Sequence, residues 1–193
     1  MNENELTGLL ESLRRMGADE LNVEVKESAT TLSRDVWETV SAFANTAGGI
    51  IVLGVSERAG FVPVENFETE KVLNQFVAGM GDAGGRGKLA NPPKYTIERV
   101  ELQGTVVLVI TIEELDPSSK PCYVIERGAQ GGSYKRIDDK DVPLSSTEVL
   151  ALASYGRATP SDRDAVAGAG ADNLDETLVD RTIDRAFSLT PRA

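Results

Sequence analysis

Leu21-Asn22-Val23-Glu24-Val25-Lys26 and, further on, Ala42-Phe43-Ala44-Asn45-Thr46-Ala47-Gly48-Gly49-Ile50-Ile51-Val52-Leu53-Gly54-Val55 are the segments that decide the fold. In the first, apolar residues hold the odd positions. A strand with its period of two then buries Leu21, Val23 and Val25 and leaves Asn22, Glu24 and Lys26 on an exposed face. Between the segments, Leu32, Val36, Trp37, Val40, Phe43 and Ala44 recur at helical spacing, which predicts a helix over about 33–46. Asn45 and Gly48 suit its end, because both tolerate the left-handed conformation that closes a helix. Gly48-Gly49 releases the chain into Ile50 to Val55, an apolar run bounded by glycines that reads as a strand buried on both faces. Helix before strand is the wrong order for a phosphate loop, so Ala47-Gly48-Gly49 reads as a helix cap.

Outward from this block, residues 4–16 form an amphipathic helix with Leu6, Leu9, Leu10 and Leu13 on one stripe, set against the domain or a partner. A helix over 69–80 turns Val72, Leu73, Phe76 and Val77 inward, and a glycine-rich loop follows over 79–87. Gln103-Gly104 between two apolar runs, 95–102 and 105–112, signals a hairpin. Shorter strands at 122–126 and 133–137 bracket Gly128 to Gly132. Ser145-Ser146-Thr147-Glu148 is a capping box, with Leu144 and Val149 as its staple, and opens a helix to about Tyr155. Residues 158–173 are small and polar, a linker. Asn173 with Glu176 then starts a last helix carrying Leu174, Leu178, Val179, Ile183 and Phe187. The fold class is α+β, a mixed sheet of five or six strands packed with helices, plus an N-terminal helix and a C-terminal linker-helix. The expected partition is 1–17, 18–157, 158–173 and 174–193.

The 193 residues, 40% hydrophobic and 26% charged, suffice for one good core. A lone cysteine, Cys122, excludes an internal disulfide framework and fits a reducing compartment, so a cytoplasmic location is expected. No apolar stretch approaches the ~20 residues that span a bilayer. Histidine is absent, which excludes a Ser-His-Asp triad and the usual His-rich zinc site; a metal would be a hard one held by oxygen. The net charge of −11 opposes bulk affinity for nucleic acid, so any such role must be local. Residues 86–140 hold nine basic and eight acidic residues, on charge pattern alone a solvated mixed surface. Gly79 to Lys88 is not a P-loop, since no strand precedes it and Leu89 stands where Ser or Thr is required. It reads as a surface loop whose Arg86 and Lys88 reach a phosphate backbone.

Glu20, Glu24-Val25-Lys26, the run Ala42 to Gly49 and Gly54-Val55 occur in the order of a known core pattern. Asn91-Pro92-Pro93, the strand Val106 to Ile112, Lys120-Pro121-Cys122-Tyr123, and Gly132-Ser133-Tyr134-Lys135-Arg136 leading into Leu144-Ser145 extend the match. Together they resemble the Schlafen AlbA-type domain over about residues 18–155. Val25 replaces the usual aromatic, Asp138-Asp139 stands where the family often has a Gly-Ser pair, and Ser56-Glu57 follow Gly-Val where aspartates are common. The resemblance implies a DNA-binding regulatory module of bacterial divergent AAA or RecG-like transcriptional regulators. It needs no cofactor for binding and meets nucleic acid, DNA or RNA, through a local patch of Lys26, Arg86, Lys88, Lys135 and Arg136. A homodimer suits a regulator with paired sites. In longer members the tail leads to an ATPase-like or winged-helix region; here the chain ends at Ala193, as a fragment or as a form without that output domain.

Two alternatives stand beside it. In animal Schlafens a similar Glu, Glu-x-Lys arrangement is linked to metal-dependent endoribonuclease activity. By position it makes Glu20, Glu24 and Lys26 catalytic and Glu20, Glu24 and Glu57 the ligands of Mg²⁺ or Mn²⁺, with Lys26 steadying a phosphate. If residues 20–24 lie on one strand, the two carboxylates stand ~13 Å apart at ~3.3 Å per residue, too far for one ion, so Glu20 must fold back. The third class is a protein-interaction or assembly domain, suggested by the acidic charge and the apolar stripes of the terminal helices.

Overall fold

The computed structural model describes residues 1–16 and 22–155. Glu20, the expected linker and the expected C-terminal helix lie outside the described residues. The chain begins with α1 (Glu3–Met16), β1 (Val23–Lys26), α2 (Val36–Asn45), β2 (Gly49–Leu53), β3 (Val55–Ser56), β4 (Val62–Pro63) and α3 (Thr69–Met80). It continues with β5 (Leu89–Ala90), β6 (Tyr95–Leu102), β7 (Thr105–Ile112), β8 (Tyr123–Val124), α4 (Gly128–Gly132), β9 (Tyr134–Ile137), β10 (Lys140–Pro143) and α5 (Ser146–Tyr155). The fold is α+β. Its main sheet has four strands in the order β1-β2-β7-β6, with β1 and β2 parallel and the other neighbours antiparallel; the remaining strands pair off as β3-β4, β5-β8 and β9-β10. No helix among the described residues is long and apolar enough to cross a membrane.

The sheet is apolar on both faces, and a helix covers each. Along β2, Ile51 and Leu53 pack with α2 and α3, whereas Val52 joins the side of α1. There Leu6, Leu10 and Leu13 of α1 are buried against Val23, Val100, Leu102, Val107 and Val109. The N-terminal stripe thus docks on its own domain, each buried leucine contributing about 1.5–3 kcal/mol. On the other face every residue of α2 except Glu38 is buried. Trp37 stacks on Phe76 of α3 at 5.6 Å, and the edge of Tyr95 meets the same ring at 5.5 Å.

The end of α2 differs in detail from the expectation. Asn45 is the last helical residue and uses its side chain, not a left-handed backbone. Its Nδ2 donates to the carbonyls of Cys122 and Tyr134, both at 2.9 Å, and its Oδ1 accepts the Cys122 N–H at 2.8 Å. Lys120 donates from Nζ to the Asn45 carbonyl at 2.9 Å, a cation at the negative end of the helix. Gly48 takes the positive φ, 69°, and a Cβ there would sit 2.7 Å from the Ile112 carbonyl oxygen. The helix also starts at Val36 instead of about 33. Gln103 and Gly104, φ 50° and 82°, make the expected hairpin turn. Residues 128–132, between β8 and β9, wind into the short α4; a Cβ at Gly132 would lie 2.5 Å from the Val124 carbonyl oxygen, so only glycine lets that turn pack.

Candidate nucleic-acid interface

β1 is an edge strand whose Glu24 and Lys26 stand in register with Ile51 and Leu53, on the side of α2. They were expected on an exposed face, and the structure corrects this. The Lys26 and Glu24 side chains are only 10% and 21% exposed, because α2 and the β9-β10 hairpin pack over that edge. Lys26 Nζ lies 2.9 Å from Glu24 Oε1 and 2.9 Å from Asp35 Oδ2. The other oxygen of Glu24 lies 3.0 Å from Arg136, whose second nitrogen is 2.8 Å from Asp141. Asp141 in turn accepts the Thr39 hydroxyl at 2.6 Å. The Arg136 side chain is 3% exposed, its guanidinium sits 5.3 Å from the Phe43 ring centroid, and its Nε is buried with no partner among the described residues. Burial works against the charge of Lys26, yet Glu24 and Asp35 outweigh it and hold its pKa above the ordinary lysine value. The array is two cations set among three carboxylates.

Glu57 is exposed on the turn after β3, and it lines, with Glu24, Arg136 and Asp139, a small cavity of about 120 Å³. Asp139 belongs to the β9-β10 turn, where Asp138 adopts φ 51°, a conformation Asp tolerates better than most residues. Among the described residues no three acidic or thiol side chains are placed to hold a metal ion, and Glu20 lies outside them. Both oxygens of Glu24 face cations. Of the three residues expected to hold Mg²⁺ or Mn²⁺, Glu24 and Glu57 line one cavity.

The other predicted cations lie elsewhere. Lys135 on β9 pairs with Glu148 of α5. Arg86 and Lys88 flank a groove of about 710 Å³, formed where the start of α2, the end of α3 and the residues around β8 converge. Arg34 and Arg127 complete its cationic rim, and Glu38 and Glu126 stand among them. Lys88 pairs with Glu126 at 2.8 Å and Arg127 with Glu38 at 2.6 Å. No ion pair involving Arg34 or Arg86 occurs among the described residues, so the rim retains a net positive charge. The floor is apolar, with Leu32, Trp37, Gly79 and Val124. A Cβ at Gly79 would fall 2.1 Å from the Trp37 ring, so glycine is what lets α3 approach the indole. Arg86 and Lys88 were expected as phosphate contacts and Arg34 and Arg127 were not; for Arg34, its place just before an apolar helix that carries Trp37 one turn on was the available signal.

Buried cysteine offers no alternative chemistry: burial pushes the Cys122 thiol up to about 12, and it packs in the core beside the α2 helix.

The chain is similar to the N-terminal domain of an ATP-dependent DNA helicase RecG-related protein from Nitrosomonas europaea. The identity is 28%, over 70% of this chain and 90% of that one, with a TM-score of 0.52. A protein of Corynebacterium diphtheriae is 17% identical and covers 97% of this chain, which spans only 35% of that one, with a TM-score of 0.45. No curated protein matches. The family model Schlafen, AlbA_2 matches residues 19–145, ending at the cap of α5, and the chain belongs to that family.

Proposed function

We propose that this is a nucleic-acid-binding domain of a bacterial regulator-like protein, and that DNA or RNA meets it at the groove between α2 and α3. The observation that carries this reading is the gathering of Arg34, Arg86, Lys88 and Arg127 around one groove in a chain of net charge −11. Phosphate binding requires such a local excess, because cations dispersed over an acidic surface release few counterions. Family membership and the RecG-related neighbour support the same reading. Lys26 and Arg136, whose charges are engaged by Glu24, Asp35 and Asp141, act as structural cations, and Lys135 serves α5. In a gel-shift titration at low salt, short oligonucleotides bind the wild type, and Arg34→Ala with Arg86→Ala weakens binding about tenfold or more, each lost phosphate contact costing on the order of 1 kcal/mol. Equal shifts for both proteins would count against the groove.

A second reading, the metal-dependent ribonuclease, is favoured by one observation, that Glu24 and Glu57 share a cavity. Adding Mn²⁺ to the same incubation with transfer RNA tests it. Cleavage that disappears in Glu24→Ala would establish it; intact RNA with Mn²⁺ present rules it out.

A further inference from the structure

We propose that the groove between α2 and α3 takes a single-stranded segment, seating one base on the floor at Trp37 and the adjoining phosphates on Arg34 and Arg86. This rests on the nucleic-acid reading above and narrows it to a substrate class. The groove, about 710 Å³, falls within the roughly 300–1,000 Å³ of recesses that enclose small ligands. Its floor of Leu32, Trp37 and Val124 gains nothing from a phosphate, which prefers water, but desolvates favourably against the flat face or edge of a base. A duplex keeps its bases stacked inside and offers a recess only its phosphate edge. A single strand can splay a base outward.

The rim charges agree with this. Lys88 and Arg127 are balanced by Glu126 and Glu38, which leaves Arg34 and Arg86 for phosphates. Two carboxylates inside the rim repel the dense charge of a duplex backbone, yet tolerate the sparser backbone of a single strand crossing between two arginines. Glu38 and Glu126 are also hydrogen-bond acceptors facing the recess, suited to the exocyclic amino group of a base.

Trp37 is the one tryptophan of the chain and, stacked on Phe76 in the core, is 9% exposed on the groove floor, so its emission reports a ligand seated there. The test is a fluorescence titration of the full chain at low salt with a mixed-sequence single-stranded oligonucleotide and with the duplex of the same sequence. Ala78→Phe is run in parallel, since Ala78 is an exposed residue of α3 on the groove wall where an aromatic ring fills the recess without entering the core. Arg34→Gln with Arg86→Gln provides a second variant that leaves the packing untouched. The expected result is saturable quenching by the single strand, little by the duplex, and a loss of single-strand affinity of about tenfold or more in each variant. Binding that leaves Trp37 emission unchanged and is indifferent to Ala78→Phe overturns the inference while nucleic-acid binding stands. Equal quenching by the duplex overturns it as well. No binding of either nucleic acid at low salt overturns the function proposed above together with this inference.

Discussion

Arg136 shows how one residue type serves opposite roles. The family resemblance made it a candidate for a phosphate contact, yet it is buried between Glu24 and Asp141 with its guanidinium over the Phe43 ring. Removing one partner of such a pair leaves the others desolvated and unmatched. Arg136→Ala is therefore expected to destabilise the fold by about 3–5 kcal/mol, read as a lower midpoint in urea unfolding, whereas Arg86→Ala on the exposed rim shifts it by no more than about 0.5 kcal/mol. Equal, small effects would show that the Glu24 array is a surface arrangement after all. The alternation of β1 was legible because a period of two needs only neighbouring residues. The burial of Glu24 and Lys26 was not, since the partners that close over them, Asp35 and Arg136, come from a turn and from a hairpin remote in sequence. Asn45 is a similar case: its place at the end of a helix was readable, but its three hydrogen bonds to residues 122 and 134 depend on a tertiary contact.

Among the elements, α5 is the one whose start was read correctly from four residues. The Ser145 N–H donates to Glu148 at 2.8 Å, the Glu148 N–H returns to the Ser145 hydroxyl at 3.3 Å, and Leu144 and Val149 are buried beside the cap. The structure adds Lys135, whose ammonium, together with Ser145, brings the Glu148 carboxyl down to about 2. A carboxyl lowered in the folded state stabilises above its unfolded pKa, and that contribution is lost as the pH falls from the ordinary glutamate range through about 2. The cap of α5 should accordingly loosen across that acidic window, followed by the Glu148 carboxyl resonance and the amide shifts of residues 146–149. Glu148→Gln should abolish this acid-dependent step; a carboxyl titrating at the ordinary value would refute the coupling to Lys135. Helices α1, α2 and α3 and the β6-β7 hairpin were legible for the same reason as this cap, in that their signals are local. The main sheet has four strands with three small pairs beside it, and this division was not readable, because the short strands are defined by partners such as β5 for β8 that no local pattern names.

The whole molecule is an acidic chain that, among the described residues, gathers four cations at the rim of one groove, two of them, Arg34 and Arg86, without an ion pair, while Arg14, Arg15, Arg58, Lys94 and Lys140 stand unpaired elsewhere on the surface. Net charge alone pointed away from nucleic acid, and the family pattern pointed toward it; among the described residues Lys120 and Arg136 are buried, Lys88, Arg99, Arg127 and Lys135 are paired, and Arg34 and Arg86 stand at a rim over an apolar floor. Two of the groove's four cations, Arg86 and Lys88, were visible in the sequence as a basic loop. The recess itself was not, because it is assembled from three separated segments. The salt dependence of oligonucleotide affinity tests this account most directly, measured for the wild type and for Arg34→Gln with Arg86→Gln. The slope of log K against log salt is expected to become shallower by about 1.4 in the variant, two phosphate contacts at about 0.7 each on a single strand. Identical slopes and affinities for the two proteins would contradict it.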